Sequence, residues 1–471
     1  MLYRPLGRTG EDVSVLGFGC MRLPVIDGRR DRIDVPLATE MLHYAFDSGV
    51  NYVDTAYPYH GSSLQSPGTS ESFVGDALAD GYRDRVLLAT KLPPRVVQTR
   101  ADMDTILNGQ LERLRTDHID CYLLHGLNKE SWPKLLDLGA LEFLDSALAD
   151  GRIRYAGFSF HDEVALFKQI LDAYDWALCQ FQYNYMDEHY QAGIEGLRYA
   201  TARGLGIVVM EPLKGGLLAG RAPSDVQSLW DRAAVKRAPA DWGLRYVWNH
   251  AGVSTALSGM GSMDQVVANV AAAEEAVPGS LTADELHLIG QVREVYQARM
   301  AVNCTACGYC LPCPSGINIP AVLASLNNAS SFGNPAAGKA EYQFLVGFNL
   351  TARASECARC GQCEETCPQH VPVADKLEEA ARLFDGRRTR VPAAAAPAGL
   401  GSVHGASCDP SGTSVSPENY PRATTISSRS STSLVSAQSS PAGPRGSAAA
   451  APRSRRHSSP RDLRWNPLSS R

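Results

Sequence analysis

The chain has 471 residues, 44% of them hydrophobic and 20% charged, and a formal net charge of −5 at pH 7. That length exceeds one ordinary core, and the acidic balance argues against nucleic-acid binding as the main activity. No run of about 18 uncharged apolar residues occurs, and MLYRPLGRTG at the start holds neither an apolar signal core nor an arginine-rich presequence, so no membrane partner and a reducing, cytoplasmic location are expected.

Composition divides the chain into residues 1–280, 281–386 and 387–471. In the first part, short apolar β-branched runs alternate with amphipathic helical stretches. Candidate strands cover 13–19, 51–55, 86–91, 119–125, 154–159, 177–182, 206–211 and 254–259, and between them lie helix patterns such as ADMDTILNGQLERL and EVALFKQILDAY. Eight strand–helix units in about 275 residues predict a (β/α)8 TIM barrel. The structural alternative, a doubly wound sheet, calls for a G-x-G-x-x-G turn after its first strand. Here GFG (17–19) lacks a third glycine at the right place.

Barrel chemistry sits at the carboxyl ends of the strands. Those ends offer Asp54 after the second strand with Tyr59 five residues on, Lys91 closing the third, and His125 closing the fourth. Each alone has an ordinary reading, as a helix cap, a solvated strand end or a core histidine. Four ionisable groups of four types converging on one mouth are the candidate catalytic set.

Residues 282–300 read as a helix that runs without a Gly/Ser linker into the first of two cysteine runs, which suggests that the second part packs on the barrel. Cys304, Cys307, Cys310 and Cys313 form the first run; Cys357, Cys360, Cys363 and Cys367 form the second. The second has the C-x2-C-x2-C-x3-C-P spacing of bacterial ferredoxins, in which the fourth cysteine ligates the other cluster of a pair. On that rule Cys304, Cys307, Cys310 and Cys367 hold one [4Fe-4S] cluster, and Cys357, Cys360, Cys363 and Cys313 the other. The first run departs from the pattern, since two residues rather than three separate Cys310 from Cys313. Tetrahedral zinc and disulfides are the alternatives, but zinc sites pair C-x-x-C units rather than concentrating four cysteines before a proline, and disulfides conflict with a reducing compartment. Residues 281–386 are thus expected to form a small, mainly helical, ferredoxin-like iron–sulfur domain. Cys20, Cys121 and Cys179 lie in apolar segments and read as packing residues; Cys408 lies in the last part. From residue 387 onward, Ser, Ala, Pro and Arg text with twelve arginines against three acidic residues reads as a disordered tail.

The segments DTAYPYHG (54–61), ATKLP (89–93) and YLLHG (122–126) resemble the catalytic segments of the aldo/keto reductase superfamily, and the cysteine runs resemble its subgroup with an appended ferredoxin-type domain. The resemblance spans residues 1–386. It implies that Tyr59 donates a proton to a carbonyl oxygen, that Lys91 beside it tunes a phenol whose ordinary pKa is about 10, that Asp54 holds the ammonium, and that His125 orients the carbonyl. It also implies NADP or NAD extended across the barrel mouth. Met21 and Arg22 would meet the nicotinamide end, Ser159 and Gln180 the carboxamide, with His161 close by and Tyr183 at the ring-stacking position. Pro212, Leu213 and Gly215 of PLKGG would surround the pyrophosphate, and Gly259, Ser262, Gln265 and Asn269 the adenosine. Gln265 stands where relatives place an arginine that can grip a 2′-phosphate, and Ala268 where they place a glutamate. The insertion GSSLQSPGT before Ser70 and Glu71 enlarges a loop at the substrate mouth.

The expected function is an NAD(P)H-dependent oxidoreductase acting on a small carbonyl-type molecule and carrying two [4Fe-4S] clusters. Hydride carries two electrons and each cluster takes one, so the clusters are expected either to exchange electrons with a flavin or a redox protein, the reading the complete ligand set favours, or to brace the fold. The alternative is an iron–sulfur electron-transfer or partner-docking protein whose barrel no longer reduces carbonyls.

Overall fold

In the computed structural model of the protein, residues 1–386 are described; the tail expected at 387–471 and Cys408 lie outside them. A hairpin of β1 (Tyr3–Pro5) and β2 (Asp12–Ser14) precedes eight parallel strands: β3 (Leu16–Gly19), β4 (Tyr52–Asp54), β5 (Leu87–Leu92), β6 (Ile119–Leu127), β7 (Ile153–Phe160), β8 (Leu178–Gln182), β9 (Gly206–Met210) and β10 (Thr255–Ser258). They close as a barrel in which β10 pairs with both β3 and β9.

One expected element divides. The run read as a single strand at 13–19 becomes β2 and β3, with Val15 outside both, and Ser14, the last residue of β2, turns the chain there. Its hydroxyl donates to the Leu16 carbonyl at 2.7 Å, and its N–H donates to Asn51 Oδ1 at 2.7 Å. Ser and Asn side chains compete with sheet pairing in this way.

The hairpin plugs the amino-terminal end of the barrel. Leu6 and Val13 pack against the inward-facing Tyr52, Leu87, Ala89, Cys121, Leu123, Leu178, Val208 and Leu257. Buried Arg4 fastens it there, donating to the carbonyls of Trp248 at 2.6 Å, Ala276 at 2.8 Å and Val253 at 2.9 Å. Burial lowers its pKa to about 10, and four charge-assisted bonds, the fourth to the His250 carbonyl at 3.2 Å, offset that desolvation.

Side chains alternate between faces along a strand. Leu87 and Ala89 therefore place Lys91 inside the barrel, while Leu88 and Leu92 join the outer core beneath the helices. By the same period, Tyr52 places Asp54 inside, Cys121 and Leu123 place His125, and Leu178 places Gln180. Inside β7, Gly157 keeps the interior open, since a Cβ there would stand 2.8 Å from Leu178 Cγ. Cys20, Cys121 and Cys179 are fully buried, as packing residues should be.

After the barrel, the helix Ala283–Ala298 starts at a capping box formed by Thr282 and Glu285. The helices Ile319–Ser331, Pro335–Gly347 and Val373–Ala380 then gather Val322, Leu323, Leu326, Tyr342, Leu377 and Phe384 into a separate small core, against which six of the eight run cysteines pack. This region touches the barrel loops. Arg299 Nη1 lies 3.0 Å from Asp225 Oδ2, and the Arg30 guanidinium sits 4.9 Å from the Phe344 ring centre and 5.6 Å from that of Phe348.

Candidate active site and cluster-binding region

Lys91 is fully buried, and its ammonium donates to Asp54 Oδ2 at 2.6 Å and to the Thr55 carbonyl at 2.7 Å. It lies 5.0 Å from the centre of the Tyr59 ring. The His125 ring stands edge-on to Tyr59, with centroids 6.2 Å apart and planes at 78°. The four candidates from β4, β5, β6 and the loop after β4 thus meet at one end of the barrel. Burial raises the Asp54 carboxyl, with Lys91 pulling it back. Burial first, then Asp54, pushes the Tyr59 phenol well above its ordinary value. The sequence suggested that a neighbouring cation would dominate here; enclosure does, so the phenol keeps its proton at neutral pH. His125 is driven well below its usual pKa by burial, then by Lys91 and His161, and so is neutral.

The inserted loop folds back on the tyrosine. Gly68 N–H donates to the Tyr57 carbonyl at 2.7 Å and Ser70 N–H to the Tyr59 carbonyl at 3.3 Å. A Cβ at Gly68 would fall 1.9 Å from the Tyr59 carbonyl oxygen, so only glycine fits. Behind the site, Glu71 is buried among Thr90 Oγ1 at 2.6 Å, Gln110 Nε2 at 2.7 Å and Arg113 Nε at 2.8 Å. Gln110 also donates to the Lys91 carbonyl at 3.0 Å. Glu71 is therefore a brace for β5, while the Ser70 hydroxyl meets Thr55 Oγ1 at 2.9 Å.

Around the mouth stand the groups expected to meet a nucleotide. Ser159 Oγ accepts from Gly126 N–H at 2.7 Å, which leaves its own proton to donate outward. Gln180 is buried, and its Oε1 has no partner among the described residues. An orphaned acceptor beside an uncommitted donor is what a carboxamide can satisfy. Met21 is 36% exposed at this rim. Arg22 runs along Gly259, where a Cβ would meet its side chain at 3.2 Å, to Gly215, where a Cβ would meet Nη2 at 3.1 Å. Its Nη2 is 3.8 Å from Glu211 Oε1. Leu213 and Pro212 lie against Gly243, and the next residue, Lys214, bonds both oxygens of Asp187 at 2.8 Å. At the far end, Gln265 Oε1 accepts from Gly261 N–H at 2.9 Å, and Asn269 Nδ2 donates to Ser258 Oγ at 3.0 Å. Ser262 caps the helix Met263–Ala273 without spending its hydroxyl on it, leaving a helix N-terminus suited to phosphate. Tyr183 is less available than expected: it is fully buried, with its hydroxyl 3.2 Å from His250 Nε2. The sequence reading missed Glu211, whose only signal is its place between β9 and PLKGG at a positive φ of 55°.

The cysteines line two cavities. One, of about 20 Å³, is bordered by Cys304, Cys307, Cys310 and Cys367. The other, of about 160 Å³, is bordered by Cys313, Cys357, Cys360 and Cys363, with Cys310 also on its wall. No three Cys, His, Asp or Glu side chains among the described residues converge on a single-ion point.

A family model described as the aldo/keto reductase family matches residues 15–292. The chain belongs to the aldo/keto reductase family. Within it, this aldo/keto reductase carries a 4Fe-4S dicluster domain, which matches residues 303–372. It is 31% identical over 239 residues, 47% of this chain and 69% of the relative, to the uncharacterised oxidoreductase YrpG of Bacillus subtilis. It is 27% identical over 294 residues, 58% of this chain and 88% of the relative, to L-galactose dehydrogenase of Arabidopsis thaliana. Among solved structures, an aldo-keto reductase of Bacillus halodurans in its holo form superposes with a TM-score of 0.51 at 30% identity, covering 62% of this chain and 96% of that one. The protein is an oxidoreductase of this family, with a small molecule as the substrate type the family implies. Among the described residues no helix is long and apolar enough to cross a membrane.

Proposed function

We propose that this aldo/keto reductase reduces a carbonyl group at the barrel mouth using NADPH or NADH, and that it holds two [4Fe-4S] clusters. The observation that carries the reading is the buried Lys91–Asp54 contact beneath a Tyr59 whose proton is retained. The nicotinamide supplies the hydride when bound. Tyr59 gives its proton to the carbonyl oxygen as charge develops there, and the ammonium of Lys91 stabilises the phenolate left behind. Asp54 and the Thr55 carbonyl fix that ammonium. Neutral His125 offers a ring N–H to the same oxygen without adding charge to an enclosed site. Gln180 and Ser159 present an acceptor and a donor that would orient a carboxamide. Arg22 and the N-terminus of Met263–Ala273 would hold phosphate groups.

The eight thiols match the donor set of two cubanes, and the separation of their cavities supports the crossed ligand sets, with Cys367 joining the first run and Cys313 the second. Both ligand sets need thiolates, so the clusters would assemble with loss of protons from thiols such as Cys363, which burial and then Glu364 raise to about 11. Electron exchange with a flavin or a redox protein is the role this set supports. The intact catalytic four favour reduction at the barrel over a purely electron-transferring protein.

Anaerobic purification with iron and acid-labile sulfide assays, followed by NADPH and NADH oxidation in the presence of benzaldehyde or glyceraldehyde, tests both halves. Expected are about eight irons per chain, as two four-iron clusters require, and aldehyde-dependent nucleotide oxidation. Stoichiometric zinc without sulfide would overturn the cluster assignment; reduction of the clusters without aldehyde turnover would overturn the reductase assignment.

A further inference from the structure

We infer that the iron–sulfur domain positions the proton donor of the barrel: Phe344 and Phe348 clamp Arg30, and the backbone carbonyl of Arg30 holds His60, the residue after Tyr59. The inference rests on the reductase reading above and adds Arg30 and His60 to it as positioning residues.

Arg30 stands at the tip of a finger in the loop after β3. The finger closes through the Val25–Ile33 bridge, with Ile26 N–H donating to the Arg32 carbonyl at 2.9 Å and Arg29 N–H to the Ile26 carbonyl at 3.0 Å. From this tip Arg30 reaches in two directions. Its guanidinium lies 4.9 Å from the Phe344 ring centre and 5.6 Å from that of Phe348, and the two rings are themselves 4.6 Å apart. Its carbonyl accepts from His60 Nδ1 at 2.8 Å.

The rings are fixed by the core of the iron–sulfur domain. Gly338, on the same helix as Phe344, lies so close to the helix Ile319–Ser331 that a Cβ would fall 2.6 Å from the Ser325 carbonyl oxygen. One turn on, the Tyr342 hydroxyl accepts from Ala354 N–H at 2.7 Å and donates to the Asp385 carboxylate at 3.1 Å. The finger of the barrel is thus pinned to a helix that cannot shift without disturbing that core.

His60 is buried and has a positive φ of 56°. That conformation is unfavourable for a residue with a Cβ and persists only where its surroundings hold it. The Arg30 carbonyl is part of the hold, because the other ring nitrogen, Nε2, has no partner among the described residues. On its backbone side, the His60 carbonyl accepts from Thr69 Oγ1 at 3.2 Å and Thr69 N–H at 3.3 Å. Tyr59 is one peptide bond away, with its own carbonyl bonded to Ser70 N–H. A shift of His60 therefore moves the Tyr59 ring relative to the Lys91 ammonium, 5.0 Å from its centre. Small misplacements of a proton donor are costly in rate.

The test uses anaerobically purified full-length protein with glyceraldehyde as the probe. Three variants are compared: Phe344→Leu with Phe348→Leu, which keeps apolar bulk and removes the ring faces; His60→Ala; and His60→Asn. Asparagine tolerates positive φ and offers an N–H in place of Nδ1. The expected kcat falls about fivefold in the double-leucine variant and about tenfold in His60→Ala, with KM for nucleotide and aldehyde changed less than about twofold. His60→Asn should recover most of the lost kcat. Adding His60→Ala to the two leucines should lower kcat no further than His60→Ala alone, since both act through one contact. Amide hydrogen exchange over residues 60–70 should quicken in the double-leucine variant. Losses that multiply in the combined variant, a rise in KM at constant kcat, or exchange equal to that of the wild type would each overturn the inference. Wild-type protein without turnover would overturn the reductase reading instead, and the exchange measurement would still decide the link from Phe344 to His60.

Discussion

Lys91 Nζ and Asp54 Oδ2 are 2.6 Å apart, and almost no solvent reaches either side chain. Burying one of these charges without the other is costly, because the desolvated partner has nothing to neutralise it. Lys91→Met should therefore destabilise the protein by about 3–5 kcal/mol, whereas Lys91→Met combined with Asp54→Asn should recover much of that loss. Carbonyl turnover should recover in neither. Denaturation midpoints and steady-state rates of the single and double variants separate the structural from the chemical contribution; a double variant with near-normal turnover would remove Lys91 from the mechanism.

Tyr59→Phe keeps the ring over the ammonium and removes only the transferable proton. Turnover should fall by about 10²–10⁴-fold, the usual worth of a positioned general acid. Nucleotide dissociation constants, measured by fluorescence titration, should change less than twofold, since no nucleotide contact is assigned to Tyr59. A variant that turns over normally would show that the proton comes from elsewhere.

The barrel and the meeting of the four candidate residues at one end of it were legible for a shared physical reason. Strand periodicity is two, so the apolar pattern that marks β5 as a strand also fixes Lys91 on the inner face. Boundaries were less legible where side chains capture backbone groups, as Ser14 and Asn51 do between β2 and β3. The contact of Arg30 with Phe344 and Phe348 could not be read at all. It depends on how Pro335–Gly347 packs against loops some 300 residues earlier in the chain, and no local pattern encodes such a contact. Tyr183, whose position suggested stacking, is fully buried against Tyr246 and His250, an enclosure its local sequence does not signal.

His125 gives a pH signature. Its folded pKa is depressed, so between that value and about 6.5 the unfolded chain binds the proton that the folded one refuses. The stability associated with neutral His125 is complete above about pH 6.5 and is lost as pH falls. Its contribution to the slope cannot exceed about 1.4 kcal/mol per pH unit for one proton. Urea unfolding between pH 7 and pH 5 should show this loss in the wild type and a shallower one in His125→Gln; His60, His161 and His250, also lowered mainly by burial, supply the remainder. Identical slopes in both proteins would mean that His125 titrates normally.

At the adenosine end, Gln265 is tied through Oε1 to Gly261 N–H, and the segment from Gly259 to Asn269 contains no lysine or arginine. A 2′-phosphate would meet the helix N-terminus but no cationic fork, so discrimination between NADPH and NADH should stay within about tenfold. Gln265→Arg should tighten NADPH binding by about tenfold with little effect on NADH. Parallel titrations of both nucleotides decide it; equal tightening of the two would mean that the new cation meets the pyrophosphate instead.

The crossed cysteines make a prediction that turns on the short interval between Cys310 and Cys313. If Cys367 completes the cluster of the first run, Cys367→Ser should deplete that cluster and spare the one held by Cys357, Cys360 and Cys363, leaving about four irons per chain. Cys313→Ser should do the reverse. The wall of the larger cavity contains Cys310 as well as Cys313, so Cys310 is the thiol able to substitute if the shortened interval keeps Cys313 from reaching. Iron and sulfide content together with the electron paramagnetic resonance of the reduced variants distinguishes the cases. Loss of the same cluster in Cys313→Ser and Cys367→Ser would exclude crossing, whereas full iron in Cys313→Ser with depletion of both clusters in Cys310→Ser would make Cys310 the ligand in its place.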